Sequence, residues 1–103
     1  MRIGALWARL VRRRGPAVPL VLYTRKDCPL CEEMKHTLER ARLERPFVLS
    51  ERDVDADPEL RERHGRSVPV LEVAGRVAFK GRMTLEAFER KFERLAREHD
   101  PGR

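Results

Sequence analysis

An α/β fold is what this sequence predicts, with four strands and three helices in the order β-α-β-α-β-β-α. Three observations carry it. A compact apolar run, Leu20 to Tyr23, leads straight into an amphipathic helical pattern; a second run, Phe47 to Asp53, is followed by a short capped helix; two short strands around "AG" lead into a helix with one apolar stripe. With 103 residues the chain has room for one domain whose core folds without disulfide staples, and no room for a second core.

Each element has a local cause. Residues 2–14 place Ile3, Leu6, Trp7, Leu10 and Val11 at helical spacing with arginines on the other face, until "GPAVP" (Gly15 to Pro19) breaks the pattern. Residues 1–18 therefore read as a basic amphipathic extension and linker, 19–98 as the domain and 99–103 as a tail. From Cys28 to Leu43, the residues Leu30, Met34, Leu38 and Ala41 share one face of a helix that Pro46 is expected to stop. In "DADPELRERHG", Asp57 is placed to cap a short helix with Pro58 at its first position, and Gly65 stands where a helix C-terminus favours a left-handed residue. Val68 to Val73 and Arg76 to Lys80 are strands joined by Ala74-Gly75, a hairpin signal. Thr84 can cap the last helix, whose stripe is Leu85, Phe88, Phe92, Leu95 and Ala96, up to about Glu98.

Because a helix joins the first two strands, they should pair in parallel.

Composition narrows the function. The formal charge is +6, but residues 1–17 carry five arginines and no acid, which leaves the rest near +1. A near-neutral domain is not the expected partner of nucleic acid. No apolar run approaches the roughly 18 residues a spanning helix needs. Arg9 cuts the N-terminal apolar stretch short and no small-residue cleavage site follows, so a signal peptide is not expected and the reducing cytoplasm is the expected compartment. The chain has no Asn or Gln, and 19 Arg against 4 Lys; loss of thermolabile amides with dense charge fits a thermophile.

The only cysteines, Cys28 and Cys31, stand in "LYTRKDCPLCEE" where a strand gives way to a helix. Cysteines three apart in one helical turn have Cα atoms roughly 5 Å apart on one face, inside the window of about 4.4–6.8 Å that a disulfide tolerates. Cys28 lies beside the free N–H groups of the helix start, which favour a thiolate, and Pro29 costs nothing at the first helical position. Bringing a thiol from about 8.5 to about 7 takes roughly 2 kcal/mol, whereas a helix dipole supplies about 0.3–1 kcal/mol. Nearby cations must contribute; Arg25 and Lys26 are the candidates, opposed by Asp27, Glu32 and Glu33. Cys31, one turn in, is expected to be less exposed and to resolve a mixed disulfide.

Three other readings stand beside the redox pair: two inert thiols, a binding or adaptor module, and a metal carrier. A metal site needs four ligands as a rule, and His36 lies off the cysteines' face, while His64 and His99 read as solvated histidines at charged helix ends. A copper-chaperone fold also places C-x-x-C after its first strand, but its order β-α-β-β-α-β ends on a strand and this chain ends on a helix.

Taken together, C-P-L-C after a strand, this element order and "SVPV" (Ser67 to Val70) before a hairpin resemble the thioredoxin superfamily and, within it, the glutaredoxins. "YTRKDCPLCEEMK", "VDADPEL", "VPVLEVAGR" and the later Gly81-Arg82 are most similar to a small bacterial glutaredoxin-like family. The resemblance spans about residues 19–98 and implies a thioredoxin-like fold, a mixed four-stranded sheet with helices on both faces, and a thiol–disulfide oxidoreductase. It implies Cys28 as nucleophile, Cys31 as resolving cysteine, and a cis bond before Pro69 that turns the backbone of Val68 toward the cysteines to pair with substrate. It also implies a substrate-binding role for Arg25, with Lys26 and Arg82 as further candidates. Expected partners are protein or small disulfides, with glutathione or a flavin reductase as reductant and no bound cofactor or metal. Two departures bear on the reductant. "KGRMT" replaces the glycine-glycine-x-acid turn with which many glutaredoxins hold glutathione, and Asp27 replaces the tryptophan that precedes the first cysteine of thioredoxins.

Overall fold

The computed structural model describes residues 16–99. The amphipathic helix expected within residues 2–14 and the tail residues 100–103 lie outside them. The strands are β1 (Val18–Thr24), β2 (Phe47–Asp53), β3 (Val70–Val73) and β4 (Arg76–Lys80); the helices are α1 (Pro29–Arg40), α2 (Pro58–His64) and α3 (Leu85–His99), with a single 3-10 turn, Val54–Ala56, ahead of α2. The sheet order is β2-β1-β3-β4. As the crossover through α1 requires, β1 and β2 run parallel; β3 lies antiparallel to β1 and β4 antiparallel to β3.

Strand alternation divides the side chains between two layers. Val18, Leu20 and Leu22 of β1, Phe47 and Leu49 of β2, and Leu71 and Val73 of β3 point to one face and pack with Met34 and Leu38 of α1 and Phe88, Phe92 and Leu95 of α3. Phe47 meets Phe92 edge-on at 6.3 Å and Phe92 meets Phe88 at 5.6 Å. At about 1.5–3 kcal/mol for each large side chain fully removed from water, this layer dominates the stability of the fold. The opposite face holds a smaller cluster, Tyr23, Val54, Leu60 and Val70, under α2.

The caps follow the sequence closely. Asp57 accepts a hydrogen bond from the Glu59 N–H (2.9 Å) and Thr84 from the Ala87 N–H (3.1 Å). Ala74 and Gly75 have φ of 52° and 83°, the left-handed pair of a two-residue type I′ hairpin.

Several boundaries differ from the sequence reading. Helix α1 ends at Arg40 rather than Leu43, because the chain turns extended at Ala41 and the backbone N–H groups of Arg42 and Glu44 donate to Glu89 and Glu93 of α3. Strand β1 begins at Val18, which is fully buried, so the linker ends before it. Strand β3 begins at Val70 and not Val68, since Pro69 has no N–H for a ladder. Helix α3 runs on to His99, the first residue assigned to the tail. Gly65 corrects a further expectation: it is right-handed, at φ −57° and ψ −27°. What demands a glycine is proximity, for a Cβ there would lie 2.5 Å from the carbonyl oxygen of Arg61.

Candidate active site

Strand register gathers four connections at one edge of the sheet. Thr24 ends β1 opposite Asp53, which ends β2; Tyr23 pairs with Val70, which opens β3; Val70 pairs with Lys80, which ends β4. Residues 25–28, 54–57, 65–69 and 81–84 all leave the sheet there. Cysteines, cis-proline loop and Gly81-Arg82 thus share an edge although more than 50 residues separate the first from the last.

Asp27, with φ of 56°, turns the chain from β1 into α1 in a left-handed conformation that aspartate tolerates better than most residues. Cys28 is then the N-cap of α1 and Pro29 its first residue. The sulfur of Cys28 performs the capping itself: Sγ accepts a hydrogen bond from the Cys31 N–H at 3.2 Å. The same N–H is aimed at the atom that carries the charge in a thiolate. Cys28 and Cys31 are joined as a disulfide with Cα atoms 5.2 Å apart, the separation that one helical turn dictates. Cys28 is half-buried and Cys31 has no exposed surface, so an incoming group meets Cys28 first.

One turn further along α1, Lys35 lies between Glu32 (3.3 Å) and Glu51 of β2 (3.4 Å). Burial disfavours its ammonium, but the two carboxylates outweigh burial and hold its pKa above the ordinary lysine value.

The cis-proline loop meets the same edge as the cysteine loop, because β3 neighbours β1. The Val68-Pro69 bond is cis. The Pro69 carbonyl accepts from the Gly81 N–H at 2.8 Å, a turn that Gly81 enters at φ 78°. Arg82 is exposed and its guanidinium lies 3.5 Å from Glu33 of α1. Lys26 is exposed and makes no ion pair among the described residues.

Arg25 faces the 3-10 turn. Its Nε and Nη2 donate to the two oxygens of Asp55 at 3.0 and 2.9 Å, and its Nη1 donates to the Gly65 carbonyl at 2.8 Å. The hydrogen bond from Arg25, with the charges of Arg25 and Arg61 behind it, holds the Asp55 carboxyl below the usual aspartate range; the reciprocal bond pushes the Arg25 guanidinium up. Arg25 also borders a groove of about 770 Å³ lined by Arg61, Arg63, Arg66, Ser67 and Glu62. Cations outnumber acids in this lining.

Sequence reasoning missed Asp55, the groove arginines and the place of His64. The signal for Asp55 was in "DVDAD": Asp53 caps the 3-10 turn through the Asp55 N–H (2.9 Å) and Asp57 caps α2, leaving only the middle aspartate without a local task. His64 is a correction, since it is buried, stacks on Tyr23 with ring centroids 4.3 Å apart and leaves Nε2 without a hydrogen-bond partner. Its pKa is lowered by burial first and by the charge of Arg63 next.

The family model described as "Glutaredoxin-like domain (DUF836)" matches residues 19–93. Among solved structures, a structural-genomics target protein from X. campestris is similar at a TM-score of 0.61 and 27% identity, covering 73% of this chain and 96% of that one. A solution structure of reduced desulfothioredoxin from Desulfovibrio vulgaris Hildenborough aligns at 29% identity and a TM-score of 0.48, covering 82% and 83% of the two chains. A search of curated proteins finds no match.

Proposed function

The chain belongs to the glutaredoxin-like (DUF836) family and its fold is thioredoxin-like, and from that premise we propose that it is a thiol–disulfide oxidoreductase working through Cys28 and Cys31. The observation that carries the reading is the asymmetry of the pair, a half-buried Cys28 whose sulfur already accepts a backbone N–H and a fully buried Cys31 one turn away.

In the reduced protein the Cys28 thiolate attacks one sulfur of a substrate disulfide. A Cys28–substrate disulfide forms and the other substrate sulfur leaves as a thiolate. Cys31, having given its proton to solvent, attacks Cys28 Sγ; the Cys28–Cys31 bond forms and the second substrate thiolate leaves. The protein loses two electrons, the substrate disulfide gains them, and solvent protonates the products. The loop of Val68 and Pro69 is the surface on which the substrate backbone rests, and the arginines of the neighbouring groove favour substrates with acidic groups beside the disulfide. Arg82 and Lys26, exposed at the same edge, add to that field. A dithiol closes the cycle only where a reductant renews it, and a reducing compartment such as the cytoplasm suits that need; glutathione and a flavin reductase are the two reductants to compare.

The test is a pair of variants. Cys28→Ser should abolish reduction of a model disulfide, and Cys31→Ser should accumulate the mixed disulfide on Cys28. A Cys28→Ser protein that works as fast as the wild type would overturn the assignment. Iodoacetamide kinetics add a second check: one thiol should react well below the pH of about 8.5 at which an ordinary cysteine ionises, and two ordinary thiols would favour an adaptor.

A further inference from the structure

Reduction of a peptide or protein disulfide asks two loops to act on one substrate at once. Residues 25–28 present the attacking sulfur, and residues 65–69 present the cis-proline surface. They belong to different connections, β1 to α1 and α2 to β3, and among the described residues no backbone hydrogen bond joins them. A side chain does. Arg25 leaves the first loop and donates Nη1 to the Gly65 carbonyl at the root of the second, at 2.8 Å.

A guanidinium holds such a bridge only if its plane is set, because its donors form a rigid fork. Asp55 sets it, taking Nε and Nη2 on its two carboxylate oxygens. Asp55 is itself held from two sides. Its backbone N–H donates to Asp53, and Arg61 of α2 donates Nε to its carboxylate and Nη2 to its carbonyl, both at 3.3 Å. One aspartate thus orients the arginine, the arginine joins the loops, and the aspartate is anchored to the 3-10 turn and α2. The pair is about a third and two-fifths exposed, so little of the domain's stability depends on it, and the purpose of the arrangement lies elsewhere.

The geometry points to Asp55 as a positioning residue that, through Arg25, sets the spacing between the Cys28 loop and the Val68-Pro69 loop, and so governs reaction with disulfides large enough to touch both. This rests on the redox reading. A small disulfide meets Cys28 alone and is indifferent to that spacing, whereas a polypeptide disulfide must be aligned on both loops, where misplacement on the ångström scale costs rate.

The experiment compares pre-reduced wild type with Asp55→Asn in single turnover on two substrates, 2-hydroxyethyl disulfide and insulin, with thiol trapping as the readout. Asp55→Asn should slow insulin reduction by roughly tenfold or more and change the small disulfide by less than about twofold. Arg25→Lys, which keeps the cation and loses the fork, should slow insulin reduction to a similar extent, and the double variant should be no slower on insulin than either single one, because both act on one path. Amide exchange supplies a readout independent of turnover: in Asp55→Asn it should rise at Lys26 and Asp27 and also at Ser67 and Val68. Equal losses on the two substrates, or faster exchange confined to residues 54–56, would overturn the assignment of Asp55. A wild-type protein that reduces neither substrate would instead overturn the redox reading on which it rests, and exchange would report on the clamp separately.

Discussion

Gly65→Ala is the substitution whose sign best tests the geometry of the active-site edge. A glycine at helical φ and ψ normally invites replacement, since alanine reduces the entropy of the unfolded chain and gains about 0.4–1 kcal/mol. The structure opposes that rule. The new Cβ would stand 2.5 Å from the Arg61 carbonyl oxygen and 3.2 Å from the Arg61 Cγ. Ordinary contact begins at 3.4 Å, so carbonyl and Cβ must part by about 0.9 Å. The side chain of Arg61 can swing away, but its carbonyl cannot, because it already accepts the Gly65 N–H at 2.8 Å and closes the last turn of α2. Overpacking of this kind costs typically about 1–3 kcal/mol, and weakening the hydrogen bond adds about 0.5–1.5 kcal/mol. The losses exceed the gain, and Gly65→Ala should be destabilising by about 1–3 kcal/mol. Urea denaturation followed by circular dichroism measures this directly, and a thermal melt should fall by at least about 4 °C for each kcal/mol in a domain of this size. Because Gly65 also anchors Arg25 through its carbonyl, the variant should lose insulin reduction beyond its loss on a small disulfide. An alanine variant as stable as the wild type, or more so, would refute the close approach.

Three further outcomes follow from single features. His64 has a folded pKa below the ordinary value of 6.5, set by burial and then Arg63, with Lys80 acting in the same direction and Glu72 against it. The folded state therefore binds fewer protons than the unfolded one, so the stability His64 contributes is fully present above about pH 6.5 and is lost as the pH falls through the lower folded value; His64→Phe should flatten the fall in unfolding free energy below about pH 6.5. Ala74 holds a left-handed φ of 52° that alanine adopts at a cost, and Ala74→Gly should raise stability by about 0.5–1 kcal/mol in the same urea assay. A melting temperature above the ordinary mesophilic range of about 45–65 °C would support the thermophile reading, and one inside it would refute it.

The parts of this molecule legible in its sequence are those whose partners lie within a turn or two along the chain. Cys28 and Cys31 sit on one helical turn, and backbone geometry alone places their Cα atoms near the 5.2 Å found. Asp57, Thr84 and the Ala74-Gly75 turn are equally local, as is the apolar stripe of α3. Tertiary structure decided the rest, because those contacts depend on which strands become neighbours. Arg25 lies 30 residues from Asp55 and 40 from Gly65, and only the order β2-β1-β3-β4 brings the three to one edge. His64 carries the same charged neighbours as a solvated helix end, yet packing over Tyr23 buries it. A C-x-x-C is a local fact that names a chemistry, while the distance of a substrate surface from its sulfur is a property of the whole sheet.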